Sequence, residues 1–201
     1  MSEPYHHGDL RRALLDEAVA VLDADGIGSL SLRALARRVG VSPTAPYHHF
    51  RDKAELVHAL AEDALSELDA VLADADAAHS DPAEQLRAQG VAYVLFAVDH
   101  PERFRLAFRP EMGGPFSGLS DSNGALPEHL TAFRHLVGAV RRLVDEPARQ
   151  TALATAAWSL VHGLSALLVD GPLRPLAADR EHVGTMAESI TSHLLIENSD
   201  G

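Results

Sequence analysis

The 201-residue sequence predicts an all-α protein, with a three-helix N-terminal unit followed by a larger helical part. The total is about nine helices, counted from segments with helical periodicity. Apolar residues recur at spacings of three and four, the period of one face of an α-helix. Strand-like alternation of apolar and polar residues does not persist anywhere in the chain. Glycines and prolines separate the periodic segments and predict where the helices end.

The first predicted helix begins after the cap Asp9 and reaches Ala24, and Gly26 ends it. The second begins after Ser31, which is placed to cap it, and ends at Gly40, where a residue that tolerates positive φ is favoured. The apolar stripe of this second helix is Leu32, Leu35, Ala36 and Val39.

A third short helix follows directly. Ser42 and Pro43 open it with a capping side chain and a helical φ. It can extend for only about two turns, because residues 52–55 (DKAE) form a capping box that starts the next helix. Two helices joined by a tight turn form a helix-turn-helix, which places its second helix in the DNA major groove. In a helix from Pro43, Thr44, Tyr47 and His48 share one face, while Phe50 points to the core.

The segments LARRVGVS (35–42) and YHHFRDK (47–53), followed by Leu56, resemble the N-terminal signature of the TetR family of transcriptional regulators. Thr44 and Pro46 stand where the family more often has a small residue and an apolar residue such as Leu. The resemblance implies that Tyr47 and Lys53 contact backbone phosphates and that residues around Thr44 and His48 approach base edges. The complete set of predicted DNA contacts is Ser31, Arg33, Ser42, Pro43, Thr44, Ala45, Tyr47, His48, His49 and Lys53.

The resemblance also implies two domains, a DNA-binding domain over residues 1–55 and a ligand-binding and dimerisation domain over residues 56–201. The net charge of −12 is distributed accordingly. Residues 1–56 hold seven Lys/Arg against eight Asp/Glu, and residues 57–201 hold ten against twenty-one, so the balances are −1 and −11. Arg33, Arg37 and Arg38 lie together on the second helix. A local basic face can bind phosphate while the acidic remainder discourages non-specific attachment.

The C-terminal part is predicted to be helical throughout, except for a loop rich in Gly, Ser and Pro over residues 110–127, which is either a lid or disordered. The last two helices carry more apolar surface than one subunit needs, which predicts a homodimer, and the family forms its dimer through these helices. The predicted helices span residues 52–79, 82–98, 102–108, 128–144, 147–170 and 179–196.

A small-molecule effector site is implied by the resemblance. Trp158, His162 and Gly163 resemble a signature in one branch of TetR-like C-terminal domains. In a pocket His162 would orient a ligand; alternatively, it is a buried histidine satisfied by a backbone carbonyl, and the aromatic residues are core. The predicted ligand-binding residues are Tyr93, Phe96, Phe104, Phe108, Phe133, Trp158 and His162.

Several protein classes are disfavoured by the sequence. There is no cysteine, which excludes disulfides and Cys-ligated zinc. Catalytic motifs such as HExxH, GxSxG and a Gly-rich phosphate loop are missing, so we expect no enzyme and no cofactor. A metal site at His129 and His135 is the weakest alternative. No apolar run approaches membrane-spanning length and no signal peptide is evident, so we expect a cytoplasmic protein that does not enter membranes.

These observations predict a ligand-responsive DNA-binding regulator. We expect a repressor that binds a palindromic double-stranded DNA operator as a homodimer and releases it when a small, largely apolar ligand binds. Two alternatives remain open. One is an architectural protein that binds DNA without sequence preference, which the acidic balance disfavours. The other is a ligand-binding module or enzyme on the same scaffold that has lost DNA binding, which Pro46 favours.

Overall fold

A computed structural model describes residues 7–109 and 131–196. Within these ranges the chain forms eight α-helices, three short 3₁₀ helices and no strand, so the predicted all-α fold is confirmed. The predicted loop at 110–127 and the start of the helix predicted at Glu128 lie outside the described residues. The α-helices are α1 (His7–Asp25), α2 (Leu32–Val39), α3 (Lys53–Ala77), α4 (Pro82–Asp99), α5 (Pro101–Ala107), α6 (Thr131–Leu143), α7 (Pro147–Val169) and α8 (Arg180–Ile196). The 3₁₀ helices are Ile27–Ser29, Ala45–His48 and Arg174–Ala178.

The described chain divides into two compact units. Unit 1 contains residues 7–64 and 102–109, and unit 2 contains residues 65–101 and 131–196. Helix α5 thus belongs to unit 1 although it follows α4 in the chain. The predicted boundary between residues 55 and 56 stays a prediction about where the two functions separate.

Unit 1 has its own hydrophobic core, built from α1, α2, the start of α3 and α5. Phe50 is 0% exposed within it, as the sequence predicts, and the Arg11 guanidinium lies 5.3 Å from the centre of its ring. Burying such side chains supplies most of the stabilisation of a small helical unit. The other core side chains with almost no exposed surface are Leu14, Leu15, Leu22, Leu35, Leu56 and Leu60.

The helix ends of unit 1 follow some of the predicted signals and depart from others. Helix α1 begins at His7, so Asp9 lies inside it and is not its cap. Gly40 ends α2 with φ 80°, a conformation that glycine adopts without strain. Ser31 has the extended backbone of a capping residue, but its side chain makes no capping hydrogen bond. Asp52 caps α3, accepting a hydrogen bond from Glu55 N at 2.9 Å. The Glu55 carboxylate, however, accepts from Arg51 N at 2.8 Å, so the predicted box closes one residue earlier.

Helix α4 lies in the middle of unit 2 and packs against α6, α7 and α8. Asp81 caps it, accepting hydrogen bonds from Ala83 N and Glu84 N. By length and composition α7 is apolar enough to cross a membrane, so the prediction that no segment approaches this length was wrong. A core helix of a soluble bundle meets the same criterion, and α7 buries Leu153, Ala157, Val161, Leu164 and Leu168 inside unit 2.

Helices α4, α7 and α8 approach one another closely at Gly90. A Cβ atom on this residue would lie 2.6 Å from Thr191 Cγ2 and 3.2 Å from Val161 Cγ1. The first distance is far inside van der Waals contact, so this crossing requires a residue without a side chain.

We expect Gly90→Ala to destabilise unit 2 by about 1–2 kcal/mol, because overpacking outweighs the gain in helix propensity. Thr191→Ser removes the clashing methyl group and keeps the hydroxyl that donates to Ala187 O, so the double variant should regain much of the loss. Urea unfolding followed by the fluorescence of Trp158, the only tryptophan, measures both effects. If the changes in unfolding free energy of the two single variants add up to that of the double variant, the Thr191 methyl group does not set the distance between α4 and α8 at this crossing.

Candidate functional site

The segment between α2 and α3 does not form the predicted α-helix of two turns. Backbone hydrogen bonds between residues three apart run from Tyr47 N to Thr44 O at 3.2 Å and from His49 N to Pro46 O at 2.9 Å, and Phe50 N, at the end of the segment, bonds four residues back to Pro46 O at 2.9 Å. Pro46 explains the difference, because it has no N–H to donate to the residue four positions earlier and disfavours α geometry at the residue before it. The result is the 3₁₀ helix Ala45–His48, with Pro46 buried in its first turn.

This geometry changes which side chains share a face. In a 3₁₀ helix, residues three apart are eclipsed. Thr44 and Tyr47 therefore stay on one face, while His48 lies about a third of a turn away, which corrects the predicted face of three. Tyr47 is 45% exposed, and Ala45 and His49 are half-buried. The predicted DNA contacts with exposed side chains are Ser31, Arg33, Ser42, Pro43, Thr44, Tyr47, His48 and Lys53, which we call the reading surface.

Lys53 lies at the first position of α3, where its ammonium Nζ donates to the carbonyl oxygen of Gly28 at 3.2 Å. This contact holds the ammonium group beside the 3₁₀ helix Ile27–Ser29, while the side chain remains exposed. The first N–H groups of a helix also attract anions. Both features suit a phosphate group.

The arginines of unit 1 differ in whether an acidic side chain already pairs with them. Arg38 pairs with Glu17, and Arg12 pairs with Asp16 at 2.8 Å. Among the described residues Arg33 and Arg37 have no ion-pair partner, so both remain available for phosphate. Arg37 is absent from the predicted set, although its place in the basic cluster of α2 signalled it.

Unit 2 contains a cavity lined by residues of α3, α4, α6, α7 and α8. The space that the centre of a water molecule can occupy is about 40 Å³. The described lining is mostly aliphatic and aromatic, which suits an apolar molecule. It consists of Leu72, Leu86, Gln89, Gly90, Tyr93, Phe133, Leu136, Ala157, Trp158, Leu160, Val161 and Thr191.

The structure brings together four of the seven predicted ligand residues. Tyr93, Phe133 and Trp158 line the cavity, with the Phe133 and Trp158 rings 5.4 Å apart between centres. His162 stacks on Trp158 at 4.9 Å, and its Nδ1 lies 2.9 Å from Tyr93 Oη. One partner of His162 is therefore a phenol, whereas the alternative prediction named a backbone carbonyl.

The other three predicted ligand residues are placed elsewhere. Phe96 is buried near the end of α4 and packs against His100, with 5.2 Å between ring centres. Phe104 and Phe108 contact each other at 5.1 Å within unit 1. They do not line the cavity of unit 2, because α5 belongs to the other compact unit.

The polar lining residues Gln89 and Thr191 are absent from the set predicted from the sequence. Gln89 lies on the α4 stripe that also carries Leu86 and Tyr93, so a polar residue among apolar ones was the available signal. Thr191 gave no such signal, because its approach to Gly90 depends on how α8 crosses α4. Among the described residues no group of three or more His, Cys, Asp and Glu residues could hold a metal ion, and His129 lies outside them.

Comparison with known proteins assigns two stretches of the chain to one family of proteins. Residues 14–60 match the family described as "Bacterial regulatory proteins, tetR family", and residues 86–189 match "Tetracyclin repressor-like, C-terminal domain". A solved protein of unknown function from Rhodococcus sp. RHA1 is 32% identical, with 94% of this chain and 97% of that chain covered and a TM-score of 0.70. The chain belongs to the TetR family. It is therefore a DNA-binding transcriptional regulator of a ligand-responsive kind.

Two further solved structures share the fold with this TetR family member. The regulator PfmR from Thermus thermophilus is 23% identical, with 90% of this chain and 96% of that chain covered and a TM-score of 0.59. A TetR variant from Acinetobacter baumannii, solved in complex with minocycline, is 20% identical, with 93% and 97% covered and a TM-score of 0.57. The first family match contains the 3₁₀ helix of the reading surface, and the second contains most of the cavity lining.

Two ionisable groups meet at the cavity of this TetR family member. Burial raises the pKa of the Tyr93 phenol far above its ordinary value, and the Trp158 indole lowers it by less. Burial lowers the pKa of His162 below 6.5. Both groups are thus neutral near pH 7, which keeps charge away from the cavity.

We expect acidification below about pH 6.5 to destabilise the protein through His162. The unfolded chain binds a proton at this residue more readily than the folded protein, so stability is lost as pH falls through the lowered pKa. His162→Asn should flatten this part of the profile of unfolding free energy against pH. His182→Asn, at an exposed histidine of α8, is the matched control and should leave it unchanged. Identical profiles for both variants would contradict the assignment.

Proposed function

We propose that the protein is a repressor that binds a palindromic operator as a homodimer and releases it when a small, largely apolar ligand enters the cavity of unit 2. The reading surface carries this proposal. Tyr47, a large aromatic side chain, is 45% exposed there, whereas Phe50, three residues later, is buried. Together with Arg33, Arg37 and Lys53 it offers the hydrogen-bonding and cationic groups that DNA backbones require. The predicted roles of single residues remain part of the proposal.

Dimerisation through α7 and α8 is supported by the outer face of α7. Leu167 is 43% exposed there, and the small residues Ala152, Ala156 and Ser159 are exposed on the same helix. Small side chains allow a second helix to approach closely, and a closed pair of subunits is the commonest soluble assembly. One helix-turn-helix contacts only a few base pairs, so two copies are needed for a selective operator.

Ligand control follows as a population shift. A ligand that binds one conformer of unit 2 more tightly shifts the population towards that conformer. The dimer releases the operator if, in that conformer, its two reading surfaces no longer match successive major grooves. Nearly complete switching requires roughly a 10⁴-fold difference in affinity between the conformers. The relative bound to minocycline supports a small-molecule effector. We place the protein in the cytoplasm, where operator and ligand meet, and assign it no enzymatic activity.

Selection of the full-length protein against random duplex DNA at near-physiological salt tests the proposal. The expected result is a palindrome whose half-sites fall in successive major grooves. Binding without any enriched sequence would favour the architectural alternative. A folded dimer that retains no DNA at all would favour the scaffold that has lost DNA binding.

A further inference from the structure

Gln89 is a buried amide in the wall of the cavity. It is 4% exposed and lies on α4 between the apolar lining residues Leu86 and Tyr93. Burying an amide costs free energy unless its polar atoms form hydrogen bonds. The partners of its nitrogen and oxygen atoms therefore show what this residue does.

The nitrogen of this amide is held from outside the cavity. Gln89 Nε2 donates to Asp76 Oδ1 at 2.8 Å and lies 3.5 Å from the carbonyl oxygen of His135. Arg142 Nη2 lies 3.5 Å from the same Asp76 oxygen and donates to Gln85 Oε1 at 2.6 Å. A carboxylate only accepts hydrogen bonds, so Asp76 sets the orientation of the amide, with the nitrogen towards it and the oxygen away.

All hydrogen bonds of Gln89 to described residues run through Nε2, and the residue lines the cavity, so Oε1 is the polar atom of this side chain that is left for a ligand. We infer that Gln89 Oε1 is a fixed hydrogen-bond acceptor for the effector, and that the effector is a small, uncharged, largely apolar molecule carrying one O–H or N–H group. This inference rests on the proposed ligand role of unit 2 and names the class of ligand. Asp76 acts as a positioning residue.

The rest of the described lining explains why the effector is neutral and why Gln89 selects it. None of these lining residues carries a formal charge at neutral pH, so a charged ligand would lose its hydration without a counter-charge. The hydroxyl of Thr191 already donates to Ala187 O, and the hydroxyl of Tyr93 is engaged with His162. Gln89 thus provides the acceptor, and a ligand without a donor would leave its oxygen unpaired.

Three related molecules test this inference on the full-length protein. Phenol has an O–H donor, anisole keeps the oxygen without a donor, and toluene has neither. Trp158 lines the cavity and is the only tryptophan, so its fluorescence reports entry, and thermal unfolding provides a second readout. We expect phenol to bind about three- to tenfold more tightly than anisole and toluene, the effect of one neutral hydrogen bond.

Gln89→Met retains the length of the side chain without the amide oxygen and should abolish the preference for phenol. Gln85→Met is the matched control: it lies one turn earlier on α4 and contacts the same Arg142, but it does not line the cavity. This variant should keep the preference. If Gln89→Met fails to fold, the wild-type protein still tests the inference, because equal binding of phenol and anisole would overturn it.

The other outcomes separate the two proposals. Equal binding of phenol and anisole, with toluene weaker, would mean that a donor holds the ligand, and the inference would be overturned while the ligand site stands. Equal binding of all three molecules, or a preference that survives in Gln89→Met, would overturn it in the same way. If no molecule changes either readout, the inference falls together with the ligand part of the proposed function, while the DNA selection continues to test the other part.

Discussion

Replacing Phe50 with alanine is expected to lower the free energy of unfolding of unit 1 by about 3–5 kcal/mol, the usual cost of truncating a buried phenylalanine. The ring is 0% exposed in the core of unit 1 and lies beneath the Arg11 guanidinium. It is the side chain that ties the end of the 3₁₀ segment to the core. The reading surface depends on this anchor because the 3₁₀ turns preceding it are short.

Urea unfolding followed by far-UV circular dichroism measures this effect. Tyr47→Ala is the matched control, since it removes an aromatic ring three residues earlier at a position that is 45% exposed. It should change stability by less than about 0.5 kcal/mol, as surface substitutions usually do. A Phe50→Ala protein as stable as the wild type would show that this ring does not anchor the segment.

Lys53→Ala is expected to weaken operator binding by roughly thirtyfold, taking about 1 kcal/mol for each of two partly solvated charge contacts in the dimer. The loss should be similar for all DNA sequences, because a phosphate contact carries no base information. The slope of log K against log salt should become shallower by about two, since each neutralised phosphate contributes roughly 0.9. Fluorescence anisotropy with the selected operator at several salt concentrations measures both quantities.

Arg51→Ala provides the matched control for this experiment. Arg51 is an exposed cation two residues from Lys53, but its Nε donates to Glu55 at 2.9 Å. Because this carboxylate already offsets its charge, we expect a much smaller change in the salt slope. Equal slopes for the wild type and Lys53→Ala would remove Lys53 from the DNA contacts and leave the arginines of α2 as the candidates.

The helical fold could be predicted from sequence because its signals are local. Asp52 and Asp81 cap helices through atoms two or three residues away, and Gly40 adopts the left-handed backbone that few other residues tolerate. The apolar periods likewise follow from the geometry of one helix. The family signature at residues 35–53 has the same local character.

In the 3₁₀ segment the local effect of one proline overrides the helical spacing of its neighbours. Pro46 was visible in the sequence, and its missing N–H is enough to explain the loss of α geometry. Helical spacing instead suggested one face for Thr44, Tyr47 and His48. The contribution of His48 to base contacts therefore has to be measured separately from that of Tyr47.

By itself the sequence determined the helical fold, the helix-turn-helix and the family, since each depends on neighbours along the chain. Only the tertiary structure decided which side chains meet. It placed Phe104 and Phe108 in unit 1, joined Tyr93 to His162, and oriented Gln89 through Asp76. The physical reason is that a cavity wall is built from residues far apart in sequence, and no periodicity records how helices cross.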